Sequence, residues 1–303
     1  MKKYISLCVA VLLIAGILTM NVGCAGSSSG GKENAQNNGG AANVVSDGKD
    51  SASADDAAPQ LEKAVIVDNE YCTFTIEGLE KDPIWGYELK LFLENKTDKE
   101  LMFALNNVSV NGYMCDPFWA DSVTAGMKSK TDASFSKDSL KRIGISQPTY
   151  FEFKLQVYDA NDWMADKIVD EYYSYGTPED ISTLRTDDMQ LLVENDECAM
   201  YIVGFDEDNL WGYTMTLYLE NRSDRNLMFS TDGAAVNGFM CDPIWATSID
   251  AGKKAVTDVS WGDYLFEENG IEKVEIITFP VEVRDYDNWM ADKIVDQTFT
   301  ITP

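Results

Sequence analysis

Histidine is absent from the 303 residues. Its absence removes Ser-His and Cys-His activation of nucleophiles and most zinc and copper centres. Carboxylate chemistry survives, because it needs only Asp and Glu. Basic residues are scarce: 24 Lys and Arg stand against 51 Asp and Glu, for a net charge of −27. Phosphate backbones and anionic headgroups repel such a chain, which excludes nucleic acid as a partner and suits a solvated surface, a cation or a basic protein. The apolar stretch Tyr4 to Met20 is shorter than the roughly 20 residues of a spanning helix. Hydrophobic residues make up 45% of the chain, enough for ordinary cores, and the length suggests two domains.

The chain begins with Lys2 and Lys3, continues with that apolar stretch, and reaches Asn21-Val22-Gly23-Cys24. A positive start, an apolar middle and a small-residue exit make a secretory signal, expected over residues 1–23. The closing tetrad resembles the lipobox of bacterial lipoproteins, with Asn21 where an aliphatic residue is usual. The resemblance implies that Cys24 becomes the acylated first residue of the mature chain, anchored on the extracytoplasmic face of the cell membrane. Residues 24–60 then form an expected tether: from Ala25 to Pro59 no aromatic occurs, and Val44 and Val45 are the only β-branched aliphatics. Such a segment cannot bury enough apolar surface to offset its ordering entropy.

The rest of the chain is a duplication. Cys72 recurs as Cys198, Trp85 as Trp211, Cys115 as Cys241 and Trp163 as Trp289, always 126 residues later. No net insertion separates the copies, expected at 61–176 and 189–303 and joined by an acidic linker at 177–188. Each copy reads as β. Tyr87, Leu89, Leu91 and Leu93 alternate with other residues, as do Tyr213, Met215, Leu217 and Leu219; Phe151 to Val157 and Ile277 to Val283 repeat the pattern. Asn111-Gly112 and Asn237-Gly238 predict type I′ hairpins, and 138–143 and 264–269 short helical turns. Short alternating strands in about 110 residues predict an all-β fold of two tandem two-sheet β-sandwich domains.

Within each copy a strand ends in Leu93-Glu94-Asn95-Lys96-Thr97-Asp98-Lys99-Glu100-Leu101 or its counterpart, a hairpin follows, and a late strand closes on an Asp-rich turn. This arrangement resembles the immunoglobulin-like domain of unknown function found in Firmicutes lipoproteins, a family similar in fold to small secreted immunoprotective antigens. The resemblance implies that the two tandem β-sandwich domains are immunoglobulin-like, and it brings no catalytic residue with it.

Three sets of side chains are candidates for chemistry. Cys72, Cys115, Cys198 and Cys241 form one pair per copy; in an oxidising compartment they are expected as Cys72–Cys115 and Cys198–Cys241 disulfides, against the alternative of buried thiols. The octet Trp163-Met164-Ala165-Asp166-Lys167-Ile168-Val169-Asp170 recurs unchanged as Trp289 to Asp296. Cores tolerate hydrophobic swaps, so identity over eight positions suggests ligand contact by Trp163, Asp166, Lys167, Trp289, Asp292 and Lys293, against a turn whose Trp is buried. The acidic turns Asp159, Asn161, Asp162 and Asp285, Asp287, Asn288 supply oxygen ligands of the kind Ca²⁺ prefers, although such clusters more often form turns. Asn95 and Asn221 also head N-x-S/T sequences. No organic cofactor is expected.

Two copies on a tether, without a catalytic motif, suggest a non-catalytic binding or adhesion module for a surface polymer or protein. The alternatives are a carboxylate-dependent hydrolase of cell-wall glycans, and a structural or sensory lipoprotein docked on a membrane complex. Two carboxylates about 5–9 Å apart would mark the hydrolase, and a shared exposed aromatic patch the binder.

Overall fold

The computed structural model describes residues 58–178 and 184–303. The expected signal, Cys24, nearly all of the tether and part of the linker lie outside the described residues.

Repeat 1 runs β1 (Ala64–Asp68), β2 (Cys72–Asp82), β3 (Gly86–Asn95), β4 (Leu101–Val110), β5 (Tyr113–Met114), β6 (Ala120–Val123), β7 (Lys128–Phe135), α1 (Lys137–Arg142), β8 (Tyr150–Asp159) and β9 (Val169–Gly176). Repeat 2 follows with β10 (Gln190–Glu194), β11 (Cys198–Asp206), β12 (Tyr213–Asn221), β13 (Leu227–Ser230), β14 (Ala235–Val236), β15 (Phe239–Met240), β16 (Ala246–Ile249), β17 (Lys254–Trp261), α2 (Asp263–Asn269), β18 (Ile277–Asp285) and β19 (Val295–Ile301). In repeat 1 the sheet β1-β2-β3-β7 faces a second in which β4 pairs with β5, β6 and β8, and β8 with β9. Repeat 2 matches it, with β10-β11-β12-β17 facing β13 to β16, β18 and β19. Each repeat is thus two facing sheets, the β-sandwich that the alternation predicts.

The alternation explains the layers. Leu89, Leu91 and Leu93 are buried, and their neighbours Lys90, Phe92 and Glu94 are less so. They meet Phe151, Phe153, Leu155 and Val157 of the facing sheet, and Phe74 reaches across to Phe153 with ring centroids 6.3 Å apart. Met215, Leu217 and Leu219 meet Phe279, Val281 and Val283 in the same way in repeat 2. Both Asn-Gly turns form: Val110 pairs with Tyr113 and Val236 with Phe239, and Asn111, Gly112, Asn237 and Gly238 all have positive φ. The helical turns begin one residue earlier than predicted, at Lys137 and Asp263. The copies differ in one strand. Where repeat 1 has a continuous β4 with an irregularity between Asn106 and Ser109, repeat 2 breaks into β13 and β14.

The four cysteines correct the expected pairing. All are free thiols, and all are buried. Cys198 pairs with Asn221 at one end of β12, whereas the Cys241 carbonyl accepts a hydrogen bond from Trp261, which pairs with Tyr213 at the other end. Those ends are about 25 Å apart at the usual strand rise, far beyond the Cα separation of a disulfide. Repeat 1 repeats this geometry. Cys72 opposes Asn95, while the Cys115 amide bonds to Val108, near the opposite end of the sandwich. Burial pushes the Cys72 and Cys198 thiols up to about 11 and Cys115 to about 12, so at neutral pH they pack as small hydrophobes.

Candidate functional site

The identical octet forms the turn from β8 to β9 and its copy from β18 to β19. Each turn is shaped by acidic or amide side chains that precede the octet. The Asp159 carboxylate accepts the Asn161 amide at 3.0 Å, and Asp285 accepts those of Asp287 and Asn288 at 2.9 and 3.1 Å. The Ala165 and Ala291 amides close second turns onto Asp162 and Asn288 carbonyls, at 3.1 and 3.0 Å. Ile168 and Ile294 then rejoin the sheet through bonds to Val157 and Val283, each 2.8 Å.

This gives the acidic clusters a part in turn formation, the alternative to the calcium expectation. Asp159 also binds Lys99 at 2.9 Å; that bond, and then the Asn161 amide, hold its carboxyl below the usual range. Asp285 lies 3.7 Å from Arg225. Asp162 accepts the Met164 amide, as Asn288 accepts that of Met290. Among the described residues no three His, Cys, Asp or Glu side chains gather at a common point.

Structure accounts for five of the eight identical positions. Ala165 closes the turn, Ile168 is half-buried and Val169 is buried, with the same pattern in the copy. Lys167 lies 3.8 Å from Asp170; Lys293 lies 2.9 Å from Asp296 and also binds Glu282. The bonds to Glu282 and then Asp296 raise the Lys293 pKa, and they hold its ammonium on the sheet face. Both lysines of the expected contact set thus have carboxylate partners within the fold. Trp, Met and the first Asp remain. Trp163 and Trp289 are 65% and 58% exposed, Met164 and Met290 77% and 94%, and Asp166 and Asp292 are exposed beside them. The alternative of a buried turn tryptophan does not hold.

The tryptophans that are buried are others: Trp119 against Phe74, and Trp245 and Trp261 against Phe279. A further exposed pair escapes the sequence reading. Ile84-Trp85 and Leu210-Trp211 cap the β2–β3 and β11–β12 hairpins. The available signal was an apolar pair set between turn formers, Asp82-Pro83 or Asn209 before it and Gly86 or Gly212 after it. Asn95 and Asn221, which head the N-x-S/T sequences, are buried, and their amides bond to backbone carbonyls. A groove of about 480 Å³ runs along β2, β3 and β7, but its charged residues are paired: Glu77 with Lys130, and Lys90 with Asp132.

No family model matches this chain, and no curated protein sequence does. Solved structures resemble it only remotely. A red sea bream transglutaminase aligns at 11% identity over 80% of this chain and 31% of its own, with a TM-score of 0.21. The YadV chaperone aligns at 12% identity over 71% of this chain and 92% of its own, with a TM-score of 0.18. Similarity at that level carries no argument about function.

Proposed function

We propose that the protein is a non-catalytic binding module, carried on the outer face of the cell membrane by an acylated Cys24. It presents two equivalent contact sites, Trp163-Met164-Asp166 and Trp289-Met290-Asp292. The observation that carries this reading is the exposure of those three octet positions in both copies, where packing gives them no reason to be identical. An exposed aromatic offers a large rigid contact area, a methionine adapts to its partner, and the carboxylate orients a polar group. Two linked sites gain avidity on a repetitive ligand, which favours a surface polymer or a clustered protein. The net charge of −27 argues against nucleic acid.

Co-sedimentation with purified cell-wall material, with its attached polymers, tests the reading. The wild-type chain is expected to pellet, either single Trp→Ala variant to pellet weakly, and the double variant to stay in solution. Removing exposed side chains is expected to change stability by less than about 0.5 kcal/mol. A double variant that pellets like wild type would sink the proposal.

A further inference from the structure

The two repeats dock on each other through surfaces that each repeat possesses, and one copy of each surface is unoccupied among the described residues. The donor surface of repeat 1 is the tip of its β4–β5 hairpin. The Gly112 carbonyl accepts the Lys254 amide at 3.1 Å, which sets β5 beside β17, the edge strand of repeat 2. Tyr113 is fully buried there, with its ring 6.4 Å from that of Tyr218 and the Lys254 ammonium 5.8 Å above it. Asn107 bonds to Asp250 at 2.7 Å, Glu152 pairs with Lys253, and Arg142 donates to Asp258 at 2.8 Å.

By the 126-residue offset, the donor surface of repeat 2 is the Asn237-Gly238-Phe239-Met240 hairpin, and the acceptor surface of repeat 1 is the edge strand β7 with Phe92. Among the described residues nothing covers either. Phe239 and Met240 are 47% and 69% exposed, where Tyr113 is fully buried. Gly238 is exposed where Gly112 is buried. Met127, the counterpart of Lys253, is 58% exposed, and Thr124, the counterpart of Asp250, is exposed where Asp250 is buried. Lys128 lies 6.0 Å over its own Phe92, whereas the matching Lys254 lies over the incoming Tyr113.

We propose that a second copy of this chain occupies these surfaces, with the β14–β15 hairpin of one molecule set beside β7 of the next. Two pairs across the junction change in step, while the Asn107–Asp250 bond has no counterpart, since Gly233 and Thr124 stand there. The charged pair Glu152 with Lys253 corresponds to Thr278 with Met127, uncharged on both sides, and Tyr113 with Tyr218 corresponds to Phe239 with Phe92. The hairpin keeps its Asn-Gly turn, so the backbone contact of Gly112 is open to Gly238. One pair opposes docking: Arg142 with Asp258 becomes Glu268 with Asp132, although Asp132 already lies 3.1 Å from Lys90. The contact joins unlike surfaces, so each molecule offers one donor and one acceptor, and repeating it builds a ring or an open row. With a net charge of −27 on each molecule, added salt strengthens the association. This inference is independent of the Trp163 and Trp289 sites.

Sedimentation of the full chain tests it, with Cys24→Ala to keep acyl groups out of the measurement. The weight-average mass is expected to rise above the monomer with concentration and with salt. Phe239→Asp and Met127→Asp should each remain monomeric at the parent melting temperature, since both side chains are exposed. If either melts lower, Phe239→Ser and Met127→Ser replace them. An equimolar mixture of the two variants retains one intact donor and one intact acceptor surface, and is expected to double in mass and stop there. A parent that stays monomeric throughout, a single variant that still associates, or a mixture that does not exceed the monomer overturns the proposal.

Discussion

Single side chains decide several properties of this protein. Asn95 and Asn221 do the same work in each copy, giving their amides to two and three backbone carbonyls respectively and each accepting from a turn amide. Asn221→Ala leaves the buried carbonyls of Arg225 and Ile249 without that donor and is expected to cost about 1–3 kcal/mol, read by denaturant melts. The thiols give a second test. Native protein should react very slowly with iodoacetamide at neutral pH, and unfolded, unreduced protein should show Cys72, Cys115, Cys198 and Cys241 all alkylated. Linked peptides in the non-reduced digest would restore the disulfides. Asp250 offers a test in pH. Burial raises its carboxyl pKa, opposed in part by hydrogen bonds from Asn107 and Tyr172. The folded state therefore favours the protonated acid. Its contribution to stability is fully present below the unfolded value of 3.8 and is lost as pH rises through the raised native value. Asp250→Asn, which keeps an acceptor for Asn107, should raise the melting temperature near neutral pH and leave it unchanged in strong acid. A lower neutral melting temperature would show that the charge itself holds the junction.

At the level of strands and turns, the hairpins leave little freedom. Gly212 has a φ of +91°, and a Cβ there would lie 2.1 Å from the Trp261 carbonyl oxygen; at Gly86 the corresponding values are +100° and 2.3 Å from Phe135. Gly212→Ala forces β12 and β17 apart at their first pair, and the expected result is a fall in melting temperature well beyond that of a surface substitution. An unchanged melt would mean that the hairpin relaxes freely. These strands were legible because alternation and Asn-Gly turns are local signals, and the described repeats keep both. The cysteine pairing was misread for a non-local reason. Sequence distance between Cys72 and Cys115 says nothing about which end of a sandwich each occupies. The tryptophans were hard for a related reason. Trp119, Trp163 and Trp85 all sit in connections, where no period marks an inward face, so their burial had to come from the three-dimensional packing. Repetition of the octet did point to the exposed turn, but only the paired Lys167 and Lys293 separate the positions that serve the fold from those that do not.

Across the whole molecule the junction makes the repeats interdependent. Tyr113 belongs to the core of repeat 1 and packs against Tyr218 of repeat 2, which itself stacks on Tyr201 at 5.9 Å. Tyr113→Ala should cost about 3–5 kcal/mol, the usual range for emptying a buried aromatic site, and split unfolding into two calorimetric transitions. One transition with unchanged shape would mean that the repeats communicate elsewhere. The junction also has a consequence in time. Repeat 1 leaves the ribosome first, and the chain must make some 80 further residues before β17 exists to receive Gly112 and Tyr113. Until then the Tyr113 hairpin and the bare edge of β7 belong to the same half-made molecule. Neighbouring nascent chains thus meet each other's edges before either has its own second repeat, so export and chaperoning bear on the yield of this protein as much as its final stability does.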